Sequence, residues 1–116
     1  MDRKTPKNTR QYRRVTVRLL VDYQARGGIH CDYATTLGAG GMFLQTELMM
    51  ARGELVKVRF RLPGSETLHD LEARVTWYHA PRRASDGSMR IPGVGLQFTD
   101  PKQTVRLARE LEDFVE

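Results

Sequence analysis

The sequence predicts a mainly β domain: a six-stranded antiparallel β-barrel with one C-terminal α-helix. Three observations carry this expectation. Short runs of alternating apolar and polar residues recur along the 116-residue chain between Val15 and Phe98, and a period of two marks a half-buried strand. Breaks rich in glycine and proline separate the runs. The pattern turns helical only near the C-terminus, and a set of short strands followed by one helix favours a small barrel closed or plugged by that helix.

The elements follow in order. Residues 1–9 are polar and aperiodic, which predicts a flexible basic tail ahead of a domain spanning 10–116. Val15, Val17, Leu19, Val21 and Tyr23 then alternate with Thr16, Arg18, Leu20, Asp22 and Gln24 as a first strand. Arg26-Gly27-Gly28 is a hairpin signal. A second strand runs from about Ile29 to Thr36, with Ile29, Cys31 and Tyr33 on one face. Next come Gly38, Gly40 and Gly41. Glycine tolerates positive φ and admits a second backbone or a ligand at close range, so the cluster predicts a tight, shaped turn.

Met42–Gln45 reads as a short third strand, and 46–54 as a loop holding Met49, Met50 and Gly53. In residues 55–62, Val56, Val58, Phe60 and Leu62 point one way and Lys57, Arg59 and Arg61 the other. Pro63-Gly64-Ser65 ends that strand. Leu71, Ala73, Val75 and Trp77 alternate with Asp70, Glu72, Arg74 and Thr76, which sets acids across from the preceding bases and places Trp77 in the core. Residues 80–93 have loop composition. Val94, Leu96 and Phe98 form the last strand, closing a barrel over about 14–99.

Asp100-Pro101-Lys102-Gln103 reads as a helix start, with Asp at the N-cap, Pro at N1 and Gln closing a capping box. The helix is expected over about 101–115. Val105, Ala108, Leu111 and Val115 recur at helical spacing, with Leu107 and Phe114 beside them.

Composition narrows the function. The net charge of +5 points to an anionic partner, and the charge is local. Residues 1–20 hold Arg3, Lys4, Lys7, Arg10, Arg13, Arg14 and Arg18 against Asp2 alone, whereas Glu110, Glu112, Asp113 and Glu116 make the C-terminus acidic. The single cysteine, Cys31, excludes an intramolecular disulfide and a cysteine-rich zinc site. With no transmembrane run and no signal-peptide core, the expected protein is cytoplasmic and does not insert into membranes. His30 and Asp32 face away from Cys31 along a strand, and His69 and His79 lack ligand spacing, so no metal is expected. No Ser-His-Asp set, paired carboxylates or Walker loop is present, and enzyme activity is not expected.

Three motifs together carry a resemblance. Arg10-x-x-x-Arg14 leads directly into the first strand; a Gly40-Gly41-Met42-Phe43-Leu44 turn follows the second; Gly93-Val94-Gly95-Leu96-Gln97-Phe98 precedes the helix. From Arg10 to about Val115 the chain resembles a PilZ domain of the short, single-domain type. The resemblance implies a six-stranded barrel that binds the bacterial second messenger cyclic di-GMP, needs no cofactor, and signals by contact with a downstream protein. It implies binding through Arg-x-x-x-Arg and (Asp/Asn)-x-Ser-x-x-Gly. The first motif maps onto Arg10 and Arg14, with Arg13 adding charge. A guanidinium forks onto phosphate oxygens or the O6 and N7 edge of guanine and stacks on a base. The second motif departs from the family pattern: with its glycine on Gly41, Thr36 replaces Asp/Asn and Gly38 replaces Ser. The expected site is Arg10, Arg13, Arg14, Thr36, Gly38, Gly40 and Gly41, with the arginines clamping the ligand against the glycine turn.

Two other functions stay open. A PilZ-type barrel that has lost its messenger and binds proteins alone fits the exchanges at Thr36 and Gly38. Nucleic-acid binding by a basic barrel ranks last, because acids neutralise the strand bases and no interleaved exposed aromatics are expected.

Overall fold

A computed structural model describes residues 14–79, 82–83, 89–90 and 92–114. The strands are β1 (Arg14–Ala25), β2 (Gly28–Gly38), β3 (Gly41–Gln45), β4 (Leu55–Phe60), β5 (His69–His79), β6 (Arg82–Arg83), β7 (Met89–Arg90) and β8 (Gly93–Phe98), and one helix follows, α1 (Val105–Asp113). Six strands close into an antiparallel barrel in the order β1-β2-β3-β8-β5-β4. The expected fold class is what the chain adopts. Closure is made where Asp22, Tyr23 and Gln24 of β1 pair with Arg59, Val58 and Lys57 of β4.

The alternation read from the sequence is the inside–outside pattern of the barrel. Val21, Val56, Val58, Leu37, Leu44, Val75 and Val94 are buried, each contributing about 1.5–3 kcal/mol relative to exposure. Outside, Lys57 lies opposite Glu72 and Arg59 opposite Asp70. The Arg59 guanidinium sits 3.0 Å from Asp70, but both are half exposed, so the pair helps fix register more than it adds stability.

The β1–β2 turn is built from two left-handed residues, Arg26 (φ 56°) and Gly27 (φ 75°), the backbone that matches strand twist in a two-residue hairpin. Arg26 Nε and Nη2 donate to the two carboxylate oxygens of Glu54 at 3.1 and 3.2 Å. At one end of the barrel the buried Tyr23 hydroxyl donates to Asp32 Oδ2 at 2.7 Å and lies 2.8 Å from Thr46 Oγ1, tying together β1, β2 and the loop after β3. Burial pushes the Tyr23 phenol well above its ordinary pKa; the Thr46 hydrogen bond opposes this and Asp32 adds to it.

The helix start differs from expectation. Asp100 Oδ1 accepts from Lys102 N at 2.9 Å in a local turn, residues 101–104 remain turn, and α1 begins at Val105 with Thr104 at its N-terminal boundary. An Asp side chain that closes a turn two residues on competes with helix capping. The buried face also differs: Leu107 and Leu111 enter the core with Phe114 packed against it, whereas Val105 is exposed. Polar contacts finish the docking. His69 Nε2, itself buried, donates to Glu110 Oε1 at 2.9 Å, and Ser65 Oγ donates to Glu110 Oε2 at 2.7 Å. Burial pushes the Glu110 carboxyl up, but hydrogen bonds from His69, Ser65 and Thr67 outweigh it and hold the group below its ordinary range. Within the segment expected as a loop, β6 and β7 pair, Arg82 with Arg90 and Arg83 with Met89.

Candidate functional site

Two cross-strand rows run side by side over the outside of β1, β2, β3, β8 and β5. In the first, Arg14 lies opposite Gly38, Gly38 opposite Gly41, Gly41 opposite Gln97, and Gln97 opposite Arg74. In the second, Thr16 lies opposite Thr36, Thr36 opposite Phe43, Phe43 opposite Gly95, and Gly95 opposite Trp77. Directly opposed residues have Cβ positions about 4.5–5.5 Å apart, so each row is a continuous strip of surface.

A cleft of about 360 Å³ opens on these rows. Arg14, Thr36, Gly38, Gly40 and Gly41 all line it, with Phe43, Trp77 and Gln97. The expected residues that can be placed are therefore brought together. Arg10 and Arg13 lie outside the described residues.

The glycine cluster forms the expected tight turn, but not through left-handed backbone. The left-handed glycines are Gly27, Gly53 and Gly64; Gly38, Gly40 and Gly41 are not among them. The β2–β3 connection is a two-residue tip, Ala39 and Gly40, between the opposed Gly38 and Gly41. At Gly41 the requirement is close approach: a Cβ there would overlap the Leu96 carbonyl oxygen and sit 3.2 Å from the Gln97 Cα. The Arg14 row thus has a floor of bare backbone two strands wide.

Trp77 corrects a second expectation. Its spacing from Val75 places it inside, yet 42% of it is exposed. The cause is a register shift. Val75 pairs with Leu96 but Trp77 pairs with Gly95, leaving Thr76 as an extra residue in β5. Such a bulge turns the following side chains over. Tyr78 takes the inward place and packs against the core, and Thr76 Oγ1 donates to the Gly95 carbonyl at 3.0 Å.

Outside, Trp77 stacks on Phe43 with centroids 5.2 Å apart and planes 17° apart, and His79 meets the indole edge-on at 4.8 Å. Both rings rest on glycine: a Cβ at Gly93 would overlap Phe43, and one at Gly95 would overlap Trp77. The alternating glycines of Gly93-Val94-Gly95 were a visible signal for this, because glycine inside a strand marks close approach. The expectation that exposed aromatics are missing is overturned with them.

A cationic row beside an aromatic shelf suits a ligand with phosphates and flat bases, since guanidinium groups bind phosphate and bases stack on rings. Catalytic chemistry finds less support among the described residues. Ser65 gives its hydrogen bond to Glu110 and not to an imidazole, so Ser65, His69 and Glu110 form no nucleophile–base pair. The Cys31 thiol is held above its ordinary pKa by a hydrogen bond with Asp22, with smaller contributions from burial and from the Asp22 and Asp32 charges, so thiolate is suppressed. No group of three His, Cys, Asp or Glu residues stands ready for a metal among the described residues, and none of their helices is long and apolar enough to cross a membrane.

Comparison with known proteins places the fold. A family model described as PilZ domain matches residues 8–116. No curated protein matches the sequence. Among solved structures, the chain is similar to the PilZ domain with cyclic di-GMP of YcgR from Escherichia coli, at 14% identity and a TM-score of 0.66 over 91% of this chain and 93% of that one. It is similar to the inhibitor of motility MotI/DgrA of Bacillus subtilis, at 18% identity and a TM-score of 0.59, spanning 93% of this chain and 54% of that protein. The PilZ domain of CeSA from a cellulose-synthesizing bacterium matches at 21% identity and a TM-score of 0.58, over 86% of this chain and 98% of that domain. At these identities the likeness is one of fold.

Proposed function

The chain belongs to the PilZ domain family, and on that premise we propose that it is a cytoplasmic cyclic di-GMP receptor that signals by protein contact. The observation that carries the proposal is the gathering of Arg14, Thr36, Gly38, Gly40 and Gly41 in one cleft with the Phe43–Trp77 shelf. Arg14 supplies a fork for phosphate or guanine at the end of a glycine floor, and the shelf offers a face for a purine. Arg10 and Arg13, on the segment leading into β1, close over the ligand from the open side. Binding changes that segment and so presents a new surface to a downstream protein, a ligand-ordered switch. The YcgR domain named above holds cyclic di-GMP on the same fold, which supports the choice of ligand.

Isothermal titration with cyclic di-GMP tests this. Saturable heat is expected at tens of micromolar protein, and it is abolished by Arg14→Ala. A flat titration removes the proposal. A second reading is favoured by Thr36 and Gly38, which lack the carboxylate or carboxamide and the hydroxyl of the family motif. In that reading the barrel binds its protein partner without nucleotide, and co-purification recovers the same partner whether or not cyclic di-GMP is added.

A further inference from the structure

Resting on the receptor reading, we propose that Gln97 is the residue that reads the ligand's base edge. The cleft's own chemistry leads to it. The Watson–Crick edge of a purine presents a hydrogen-bond donor and an acceptor side by side, and a side chain that matches both must carry both in one plane. Of the cleft-lining side chains, Arg14 only donates. The Thr76 hydroxyl donates to the Gly95 carbonyl. The Thr36 hydroxyl is a single group, and the Trp77 indole only donates. Gln97 alone among them carries a planar pair, an NH2 beside a carbonyl.

Its position suits the role. Gln97 is exposed on β8, directly opposite Gly41. Phe43 is opposite Gly95, so Gln97 is the diagonal neighbour of Phe43 on the same face, about 7–8 Å away. The Trp77 ring rests on Gly95, two residues along the same strand. A purine lying on the Phe43–Trp77 shelf therefore turns an edge toward Gln97. On the other side of Gln97 the glycine floor separates it from Arg14 by three strand spacings, about 14 Å. Base recognition and phosphate recognition are thereby divided between opposite walls of the cleft.

The chemistry of an amide adds a consequence. Rotating the carboxamide by half a turn exchanges its donor and acceptor, so Gln97 meets O6 and N1–H of guanine in one orientation and N6–H and N1 of adenine in the other. A carboxylate at this position accepts from N1–H and N2–H of guanine but opposes the adenine N1 lone pair. Replacing Gln97 by Glu converts a tolerant reader into a guanine-selective one.

The test is calorimetry with cyclic di-GMP and cyclic di-AMP on the wild-type chain, Gln97→Ala, Gln97→Glu and Arg14→Ala, with thermal melts confirming that each variant is folded. Gln97→Ala is expected to weaken both ligands about tenfold, and Gln97→Glu to raise the guanine-over-adenine affinity ratio at least about tenfold. If Arg14→Ala abolishes binding while both Gln97 variants keep affinity and ratio within about twofold of wild type, the role of Gln97 is overturned and the receptor reading stands. If Gln97→Ala weakens binding but Gln97→Glu leaves the ratio unchanged, Gln97 does not read the base. If the wild-type chain binds neither dinucleotide, both proposals fall.

Discussion

The indole of Trp77 lies on the backbone of Gly95, in the volume that any β-carbon at that position would occupy. The pair joins β5 to β8 on the outer surface, directly beside Phe43. A ring whose resting place is the missing side chain of its neighbour is held there by shape, and 42% of it stays exposed.

Gly95→Ala is therefore expected to lift Trp77 off the barrel, costing about 1–3 kcal/mol of stability through overpacking. Trp77 is the only tryptophan in the chain, so its fluorescence reports the change without interference. A shift of emission to longer wavelength, with weaker cyclic di-GMP binding, is the expected pair of results; unchanged emission would mean that the ring does not depend on Gly95.

Arg10→Ala should weaken cyclic di-GMP binding, and Arg14→Ala should weaken it enough that no heat is seen at tens of micromolar protein. A charge-assisted hydrogen bond is worth about 1.5–3 kcal/mol, which corresponds to roughly 10–100-fold in affinity at about 1.4 kcal/mol per decade. Titration calorimetry at fixed salt separates this from loss of general basicity, because Lys102→Ala, on the turn before α1, should change little.

Thr36→Asn with Gly38→Ser should strengthen binding, by about one decade for each hydrogen bond of 1–2 kcal/mol regained. Gly38 is not in the left-handed region, so a serine there meets no backbone penalty. A restored motif that binds no better than wild type would show that the two exchanges are not what limits affinity.

The His69–Glu110 contact should set the acid limit of helix docking. Because the folded Glu110 carboxyl lies below its ordinary pKa, its stabilisation is present above the unfolded value of about 4.3 and is lost as pH falls through the folded one. Glu110→Gln should cost about 1–3 kcal/mol near neutrality and flatten the dependence of denaturation midpoint on pH in the acid range. Equal pH profiles for the two proteins would exclude Glu110 as the responsible group.

Much of the fold was legible because burial writes itself into β-strands at period two. Val56, Val58 and Phe60 face in and Lys57 and Arg59 face out, as their order alone implied. The helix start was not legible, since an Asp side-chain oxygen can close a turn or cap a helix; here Asp100 closes a turn and α1 begins only at Val105. In the candidate site, Arg14, Thr36 and the glycines were legible as motif positions. Trp77 and Gln97 were not. An added residue such as Thr76 alters no composition and breaks no turn, so the change of face after it leaves no mark in the alternation of Leu71, Ala73 and Val75.

The bulge at Thr76 makes the candidate surface a property of strand register. Were Thr76 paired in regular register instead of bulged, it would take the place opposite Gly95 and send Trp77 indoors where Tyr78 now packs, with no side chain having been mutated. In this barrel a one-residue slip of strand register can therefore remove the aromatic shelf as completely as a substitution of Trp77. Two chains that agree at every motif position can still differ in whether they have a shelf for a base to lie on.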